Sequence, residues 1–209
     1  MKYDVVIVAS GKGQRAKLGY NKAFYRMKDG KTVLEHCASL FVADEDCQNV
    51  IIVTNKEYYD EVFKHEKIVL CEGGKERKDS VRNGLQNVIS EYVLIHDAAR
   101  PFLRKQTLEE VKKKVEEYNA VVLGRMATDT IKLVDDNKVI RTVDRNTVFM
   151  AETPQAFKSE LILDCYRNCA DINFTDDASL VESLGKDVYI VIDEYDNHKL
   201  TKEEDFLGL

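Results

Sequence analysis

The sequence has few of the residues that separate domains or build metal sites. Among 209 residues there are two prolines, ten glycines and four histidines. The five cysteines are scattered and odd in number, and no histidine pattern accompanies them. We therefore expect no linker, no disulfide framework and no Cys/His metal site, and free thiols are the better interpretation.

Charge and hydropathy exclude two further kinds of partner. The formal net charge of −6 gives no general attraction to nucleic acid or to a membrane surface. No apolar run approaches the roughly 20 residues that span a bilayer, and residues 1–10 lack the order of a signal peptide. We expect a cytoplasmic protein with one domain over residues 1–209, in which any anion site is a local cluster of cations.

Short β-rich runs alternate with helical stretches over the first two thirds of the chain. The predicted strands are residues 3–9, 49–54, 67–71, 92–97 and 120–125. The predicted helices are residues 32–42, 57–65, 76–89 and 107–118. Because the strands are apolar on both faces, the pattern predicts an α/β fold with a three-layer, Rossmann-like, mostly parallel sheet. Helices near 158–169 and 177–184, a strand at 187–193 and a short helix from Thr201 complete the prediction.

A β-hairpin is predicted late in the chain, at residues 130–143. Two alternating runs flank Asp135, Asp136 and Asn137, which favour a tight turn. An isolated two-stranded ribbon is marginal in water. We therefore expect an arm, at about residues 130–150, that projects from the domain and packs against a second copy of the chain in a homodimer.

The first strand ends in a glycine loop that is dense in cations. Gly11 and Gly13 are followed by Arg15 and Lys22. Glycines let backbone N–H groups turn toward an anion, and the cations offset its charge. A dinucleotide fingerprint would need an acidic residue about 20 positions further on, after the second strand, but that strand ends near Thr54 without one. Phosphate binding is the favoured interpretation, ahead of a plain structural turn and a dinucleotide site.

The corner after the third predicted strand is a second candidate site. Gly73, Gly74 and Ser80 stand where a strand gives way to a helix. Backbone amides and a hydroxyl at this corner are suited to hydrogen bonds with a base or ribose. A capped turn with no ligand explains the same residues equally well.

The end of the fourth predicted strand is a third candidate. Asp97 stands at its carboxyl end, where open α/β sheets bind ligands, and Arg100 follows three residues later. Asp97 is a candidate for holding Mg²⁺ or orienting a lysine, and Arg100 for binding a phosphate. The alternative is an ordinary surface ion pair between the two.

In this order the motifs resemble the 2-C-methyl-D-erythritol 4-phosphate cytidylyltransferases of the non-mevalonate isoprenoid pathway, from Val6 to about Asp205. The segments that carry the resemblance are ASGKGQR (9–15), GGKERKDSV (73–81), HDAARPF (96–102), DTIK (129–132), TVDRN (142–146), TPQAF (153–157), TDDASLVE (175–182) and DNHKLT (196–201). The resemblance implies a Mg²⁺-dependent reaction in which the substrate phosphate attacks the α-phosphorus of CTP in line and pyrophosphate leaves.

The resemblance also implies roles for individual residues. Three catalytic cations would surround the phosphates: Arg15, Lys22 and Lys199. The nucleotide would be held by Ala9, Ser10, Gly11, Gly13, Gly74, Ser80 and Ala98. The methylerythritol phosphate would be held or supported by Asp97, Arg100, Thr130, Arg145 and Thr153. Mg²⁺ would be held mainly by the phosphates of CTP, with no certain ligand from the protein, and in this family the arm crosses to the neighbouring subunit.

The sequence departs from the family pattern near the cations. Asn21 stands where the family usually has a proline, and we expect it to loosen the loop that carries Lys22. Lys75 stands where an acidic residue is common. Two alternative functions stay open, a ribitol 5-phosphate cytidylyltransferase of the same fold and an NAD-dependent dehydrogenase, which the failed fingerprint disfavours.

Overall fold

A seven-stranded sheet forms the centre of the computed structural model, which describes residues 1–11, 16, 18–169 and 173–209. The strands of the chain are β1 Tyr3–Val8, β2 Cys47–Thr54, β3 Ile68–Glu72, β4 Tyr92–Asp97, β5 Ala120–Met126, β6 Ile131–Asp135, β7 Lys138–Val143, β8 Phe149–Lys158 and β9 Tyr189–Ile192. The sheet order is β3-β2-β1-β4-β8-β5-β9, and only β8 runs antiparallel to its neighbours. The predicted mostly parallel sheet is confirmed.

Helices cover both faces of the sheet. The α-helices are α1 Val33–Val42, α2 Arg77–Leu85, α3 Lys105–Tyr118, α4 Ser159–Arg167 and α5 Asp177–Ser183. Short 3₁₀ turns cover Lys22–Phe24, Lys56–Glu61, Arg145–Thr147 and Glu203–Phe206. The helix predicted at 57–65 is wrong, since the turn there buries no residue that would stabilise further turns. In the described part of the chain, no helix is long and apolar enough to cross a bilayer.

Alternating side chains along the strands produce the three layers. In β1, Val5 and Ile7 point into the core beneath α1 and α3, whereas Val6 points into the core beneath α2, α4 and α5. Successive strand residues face opposite sides of a sheet, so a strand covered on both sides must be apolar throughout. The three-layer prediction is confirmed, and all five cysteines are free, as expected.

The strand order reverses between β1 and β4. The chain runs from β1 through β2 to β3 at one edge and then returns to place β4 on the other side of β1. Val8 pairs with Asp97 at the last register position, and the Ala98 N–H donates to the Val8 carbonyl at 3.1 Å. Loops that leave two such strands in opposite directions open a crevice at their carboxyl ends, which is where ligands bind in open α/β sheets.

Strand β8 was not predicted from the sequence. It crosses the middle of the sheet between β4 and β5 and contains the cis peptide bond between Thr153 and Pro154. Proline lacks a backbone donor and is unusual in a central strand. Three polar side chains, of Glu152, Thr153 and Gln155, are buried along it and remove the apolar pattern that marks the other strands.

The predicted hairpin is confirmed as a separate two-stranded sheet of β6 and β7. The turn contains Asp136 and Asn137 with positive φ angles of 41° and 64°, the left-handed conformation that Asp and Asn tolerate best among side-chain-bearing residues. Four apolar side chains on the arm are between 44 and 58% exposed, those of Leu133, Val134, Val139 and Ile140. Within the described residues of one chain, these side chains of the arm therefore stay exposed.

Helix α2 approaches the sheet most closely at Gly84. A Cβ atom at this position would lie 2.5 Å from Val6 Cγ1 and 2.8 Å from Val53 Cγ2. We expect Gly84→Ala to lower the free energy of unfolding by about 1–3 kcal/mol, because β1, β2 or the helix must shift. Urea titration measures this, with Lys78→Ala on the same helix as a control expected to stay within about 0.5 kcal/mol. Equal stability of the two variants would contradict the close packing.

Candidate active site

A cleft of about 770 Å³ opens at the carboxyl ends of β1 and β4. It is lined by Val8, Ala9, Ser10, Gly11, Asn21, Lys22, Ala23, Asn55, Gly74, Lys75, Glu76, Arg77, Asp97, Ala98, Ala99, Lys199 and Thr201. These residues come from all three candidate sites found in the sequence and from the segment near residue 200. Chain segments that are up to about 190 residues apart thus form one cavity at the point where the strand order reverses.

Eight of the predicted site residues line this cleft. They are Ala9, Ser10, Gly11, Lys22, Gly74, Asp97, Ala98 and Lys199. Two of the three predicted catalytic cations, Lys22 and Lys199, therefore share one cavity. The third, Arg15, and the predicted nucleotide contact Gly13 lie outside the described residues.

The two lysines contact adjacent parts of the chain. Lys199 Nζ lies 2.5 Å from Asp97 Oδ2, and Lys22 Nζ donates to the Leu200 carbonyl at 2.5 Å. The Leu200 N–H in turn donates to the Ala99 carbonyl at 2.8 Å. The segment around Leu200 is thereby held against the turn after β4, and both ammonium groups are kept at the cleft.

Asp97 is an ionised carboxylate between two cations. Its Oδ1 lies 3.4 Å from Arg77 Nε, while its Oδ2 contacts Lys199. Burial alone would raise the pKa of the Asp97 carboxyl, but the charges of Lys199 and Arg77 outweigh it and hold that pKa well below its usual range. Asp97 thus pairs with Lys199, and its role in orienting that lysine stays a prediction. The alternative, a surface ion pair with Arg100, is wrong because Asp97 is largely buried and pairs with other residues.

Arg100 and Thr153 lie behind the cleft wall. Arg100 Nη1 donates to the Asn197 carbonyl at 2.7 Å and lies 3.6 Å from Glu152 Oε2. Thr153 Oγ1 accepts the backbone N–H of Asp97 at 3.0 Å. Both side chains are buried, so in this structure they support the residues of the wall and do not line it.

The corner after β3 is tied to the segment after β1 through Ser80. Ser80 Oγ lies 2.8 Å from Ser10 Oγ and accepts the Gly74 N–H at 3.0 Å. A Cβ on Gly73 would lie 2.3 Å from Ser10 Cβ, so only glycine permits this approach of the two backbones. Ser80 is buried and does not line the cleft. Its hydroxyl holds together the two loops that form one wall.

Asn21 anchors the loop that carries Lys22, and the expectation that it loosens this loop is wrong. Its side chain is buried, donates to the Ala9 carbonyl through Nδ2 at 2.5 Å and accepts the Ala23 N–H at 3.1 Å. Its backbone N–H donates to the Tyr58 hydroxyl at 3.2 Å. The amide side chain thus caps the turn of Lys22 and ties it to the end of β1.

Two predicted substrate residues, Thr130 and Arg145, do not reach the cleft of their own chain. Thr130 precedes β6, and Arg145 lies in the turn between the arm and β8. Both are exposed, and Arg145 Nη1 donates to the Thr128 carbonyl at 2.7 Å. A single chain does not bring them together with Lys22 and Lys199.

Sequence reasoning missed Arg77 and Asp177 as partners. Arg77 is the first residue of α2 and lines the cleft, and its Nη2 lies 2.8 Å from the fully buried Asp177 Oδ2. Both residues stand inside segments that the sequence analysis quoted. Nothing in the linear sequence pairs them, since they are separated by 100 positions.

His96 connects the end of β4 to the turn after it. Its Nε2 lies 3.1 Å from the Arg100 carbonyl, which can only accept, so Nε2 carries the proton. The unprotonated Nδ1 then accepts from the Thr153 hydroxyl at 2.9 Å. Burial lowers the pKa of His96 from 6.5 to about 4, and the ring is neutral at pH 7.

The fold and the cleft together define a class of protein. A mostly parallel sheet with a strand-order reversal, Gly11 at that reversal and two lysines that line the same cleft describe an α/β nucleotidyltransferase. The chain belongs to the 2-C-methyl-D-erythritol 4-phosphate cytidylyltransferase family, whose model it matches over residues 3–208.

Relatives by sequence and by structure agree with this assignment. The chain is 37% identical to 2-C-methyl-D-erythritol 4-phosphate cytidylyltransferase of Clostridioides difficile strain 630, with 97% of this chain and 90% of that one covered. It is 38% identical to the enzyme of the same name from Geobacillus thermodenitrificans, with 99% of this chain and 95% of that one covered. The crystal structure of the Francisella tularensis enzyme matches with a TM-score of 0.84 at 28% identity, over 99% of this chain and 97% of that one. The crystal structure of the 4-diphosphocytidyl-2C-methyl-D-erythritol synthase from Anaerococcus prevotii matches with a TM-score of 0.86 at 29% identity, over 99% of this chain and 93% of that one.

The neutral His96 makes stability depend on pH. Because the unfolded state binds a proton near pH 6.5 and the folded state only near pH 4, stability is lost as the pH falls between these values, by about 3 kcal/mol in all. Urea titrations at several pH values measure the slope. His96→Gln, which has no titrating group there, is expected to be less stable at pH 7.5 but to lack this part of the slope. An unchanged slope in the variant would contradict the assignment.

Proposed function

We propose that this chain transfers a cytidylyl group from CTP to 2-C-methyl-D-erythritol 4-phosphate and that the cleft between β1 and β4 is where it does so. The observation that carries the proposal is the convergence of Lys22 and Lys199 on one cavity at the strand-order reversal. Membership of the family and the names of the relatives support the choice of both substrates.

The reaction needs no general base from the protein. A phosphate monoester has a second pKa of about 6, so the attacking oxygen is already ionised near neutral pH. That oxygen forms a bond to the α-phosphorus of CTP as the bond from the α-phosphorus to the bridging oxygen breaks. The electron pair of the broken bond leaves with pyrophosphate.

Repulsion between the two anionic substrates is the main obstacle. One pair of unit charges about 4 Å apart costs about 4 kcal/mol at an effective dielectric constant of about 20, and several such pairs form here. Lys22 and Lys199, together with Arg15, are proposed to offset this repulsion and the charge that develops on pyrophosphate. Asp97 keeps Lys199 at the cleft before the substrates arrive.

The remaining walls of the cleft are proposed to hold the nucleoside. The candidates are Ala9, Ser10, Gly11, Gly13, Gly74, Ser80 and Ala98. The tie between Ser10 and Ser80 and the close approach at Gly73 give these loops a fixed separation, which favours recognition by backbone groups. Ser80 takes part through the loops that it connects.

We infer that a divalent cation would enter this cleft together with the phosphates. Among the described residues no group of three His, Cys, Asp or Glu side chains is placed to hold a metal ion. Asp97 is the carboxylate that contacts Lys199, and its two oxygens already face Lys199 and Arg77. Mg²⁺, when bound with CTP, would supply further neutralisation of phosphate charge, with phosphate oxygens as most of its ligands.

The active form is proposed to be a homodimer of a single 209-residue domain in which each arm crosses to the partner. The exposed apolar residues of β6 and β7 need a covering surface, and Thr130 and Arg145 lie away from their own cleft. In the dimer, Thr130 and Arg145 act in the partner's site, beside Asp97, Arg100 and Thr153. The reaction takes place in the cytoplasm, where nucleoside triphosphates are available.

Loss of either lysine is expected to slow the transfer step. We expect Lys22→Ala and Lys199→Ala each to lower kcat by about 10²-fold or more, since each removes a cation from the reacting phosphates. Lys202→Ala is the matched control, because Lys202 is exposed, three residues from Lys199 and paired with Glu204. Release of pyrophosphate from CTP in the presence of Mg²⁺ measures the rate. A near-normal kcat for Lys22→Ala would contradict its role.

The same assay distinguishes the substrate. We expect pyrophosphate release with methylerythritol phosphate and at least about tenfold less with ribitol 5-phosphate at equal concentration, because an enzyme discriminates substrates by transition-state binding. Faster pyrophosphate release with ribitol 5-phosphate would instead identify the chain as a ribitol 5-phosphate cytidylyltransferase. A rise in melting temperature with nicotinamide cofactors, and none with CTP, would favour the dehydrogenase alternative.

Mixing two inactive variants tests whether the arm acts across the dimer. If Arg145 serves the partner's cleft, a heterodimer of Lys199→Ala and Arg145→Ala chains contains one complete site, formed by Lys199 of one chain and Arg145 of the other. We expect the mixed and re-equilibrated variants to recover up to about a quarter of the wild-type activity, since random pairing makes half the dimers mixed and each has one working site. Each variant alone is the control. No recovery, with mixed dimers shown by sedimentation or tagging, would place Arg145 in its own chain's site.

A further inference from the structure

A row of buried and half-buried polar contacts runs from helix α4 to the cleft. The Tyr166 hydroxyl of α4 donates to Asp177 Oδ1 at 2.6 Å. Asp177 Oδ2 lies 2.8 Å from Arg77 Nη2, and Arg77 Nε lies 3.4 Å from Asp97 Oδ1. We call Tyr166, Asp177 and Arg77 the brace, because together they connect helices α4 and α5 to the carboxylate that holds Lys199.

The fold fixes the far end of the brace. The first turn of α5 is docked on β8 by Gln155, which donates to Asp176 Oδ2 at 2.7 Å and accepts the Ala178 N–H at 2.8 Å. Asp176 also caps the helix by accepting the Ser179 N–H at 2.9 Å. Asp177 therefore has little freedom to move, and it is fully buried.

Charge makes Arg77 hard to replace in this position. A buried carboxylate such as that of Asp177 requires a cation close by. Asp177 and Asp97 supply two negative charges, and Arg77 and Lys199 supply two positive ones. Arg77 is the member of the four that contacts both carboxylates, and a planar guanidinium can do so through different nitrogen atoms.

We propose that Arg77 is a positioning residue for the transfer reaction, which fixes Oδ1 of Asp97 so that Oδ2 holds Lys199 in place at the cleft. This inference rests on the proposed function. Without Arg77, both oxygens of Asp97 are open to Lys199, and the carboxylate can rotate and draw the ammonium group away from the phosphates. Misplacement of a catalytic group by about 1 Å can cost about 10²-fold in rate.

The first test compares two cationic residues on helix α2. We expect Arg77→Gln to lower kcat by about tenfold or more with the KM for CTP changed by less than about threefold, because the effect reaches the reacting phosphates through Lys199. Lys78→Gln is the matched control. It removes one positive charge from the next position of the same helix, where Lys78 pairs with Glu76 and does not line the cleft, and it should leave kcat within about twofold of wild type.

Because Arg77 itself lines the cleft, a remote variant is needed to separate positioning from direct ligand contact. Tyr166→Phe removes only the hydroxyl that donates to Asp177, and Tyr166 is not among the residues of the cleft. We expect it to lower kcat by about two- to fivefold with KM unchanged. The double variant Arg77→Gln/Tyr166→Phe should be no slower than Arg77→Gln alone, since Tyr166 acts through Arg77.

Arg77→Lys distinguishes positioning from stability. A lysine keeps the charge beside Asp177, but one ammonium group cannot replace both contacts of the guanidinium. We expect a melting temperature near that of wild type with a kcat that remains about tenfold low. This variant also keeps the test valid if Arg77→Gln does not fold.

Three results would overturn the inference in a wild-type enzyme that is active with CTP and methylerythritol phosphate. They are equal kcat values for Arg77→Gln and Lys78→Gln, full activity of Arg77→Lys, and a kcat loss in Tyr166→Phe that adds fully to that of Arg77→Gln. Absence of pyrophosphate release from the wild type would instead contradict the proposed function, so the two failures are distinct.

Discussion

The ion pair between Asp97 and Lys199 joins parts of the chain that are 102 positions apart. Asp97 stands at the end of a central strand, and Lys199 comes from the segment that follows the last strand of the sheet. The backbone bond between Leu200 and Ala99 and the contact of Lys22 with Leu200 run beside this pair. Together they turn a crevice between two strands into a cleft with cations on its wall.

The proposed anion site lies in a chain of net charge −6 and therefore requires a local cluster of cations. Without substrate, two lysines at one cavity repel each other and cost free energy. Asp97 offsets that cost by pairing with Lys199, while Lys22 is held to a carbonyl oxygen. Under the proposed function, the cations are in place before the phosphates arrive, and little reorganisation is needed during the reaction.

The departure at residue 21 shows that different contacts can hold the same loop. A proline restricts the chain by fixing one backbone torsion angle. Asn21 reaches a fixed conformation in another way, through buried hydrogen bonds to Ala9 and Ala23 and a backbone contact with Tyr58. The hydrogen bonds of Asn21 therefore compensate for the backbone restriction that a proline would have given.

Local patterns in the sequence determined the parallel strands, most of the helices, the arm and the motifs at the strand ends, because periodicity and turn residues act over a few positions. They did not predict β8, whose buried polar residues and proline hide its strand character. Nor did they pair Arg77 with Asp177 or show Arg100 behind the wall. These features depend on which distant segments cover one another. Burial and ion pairing between remote residues are determined only when the helices pack on the two faces of the sheet.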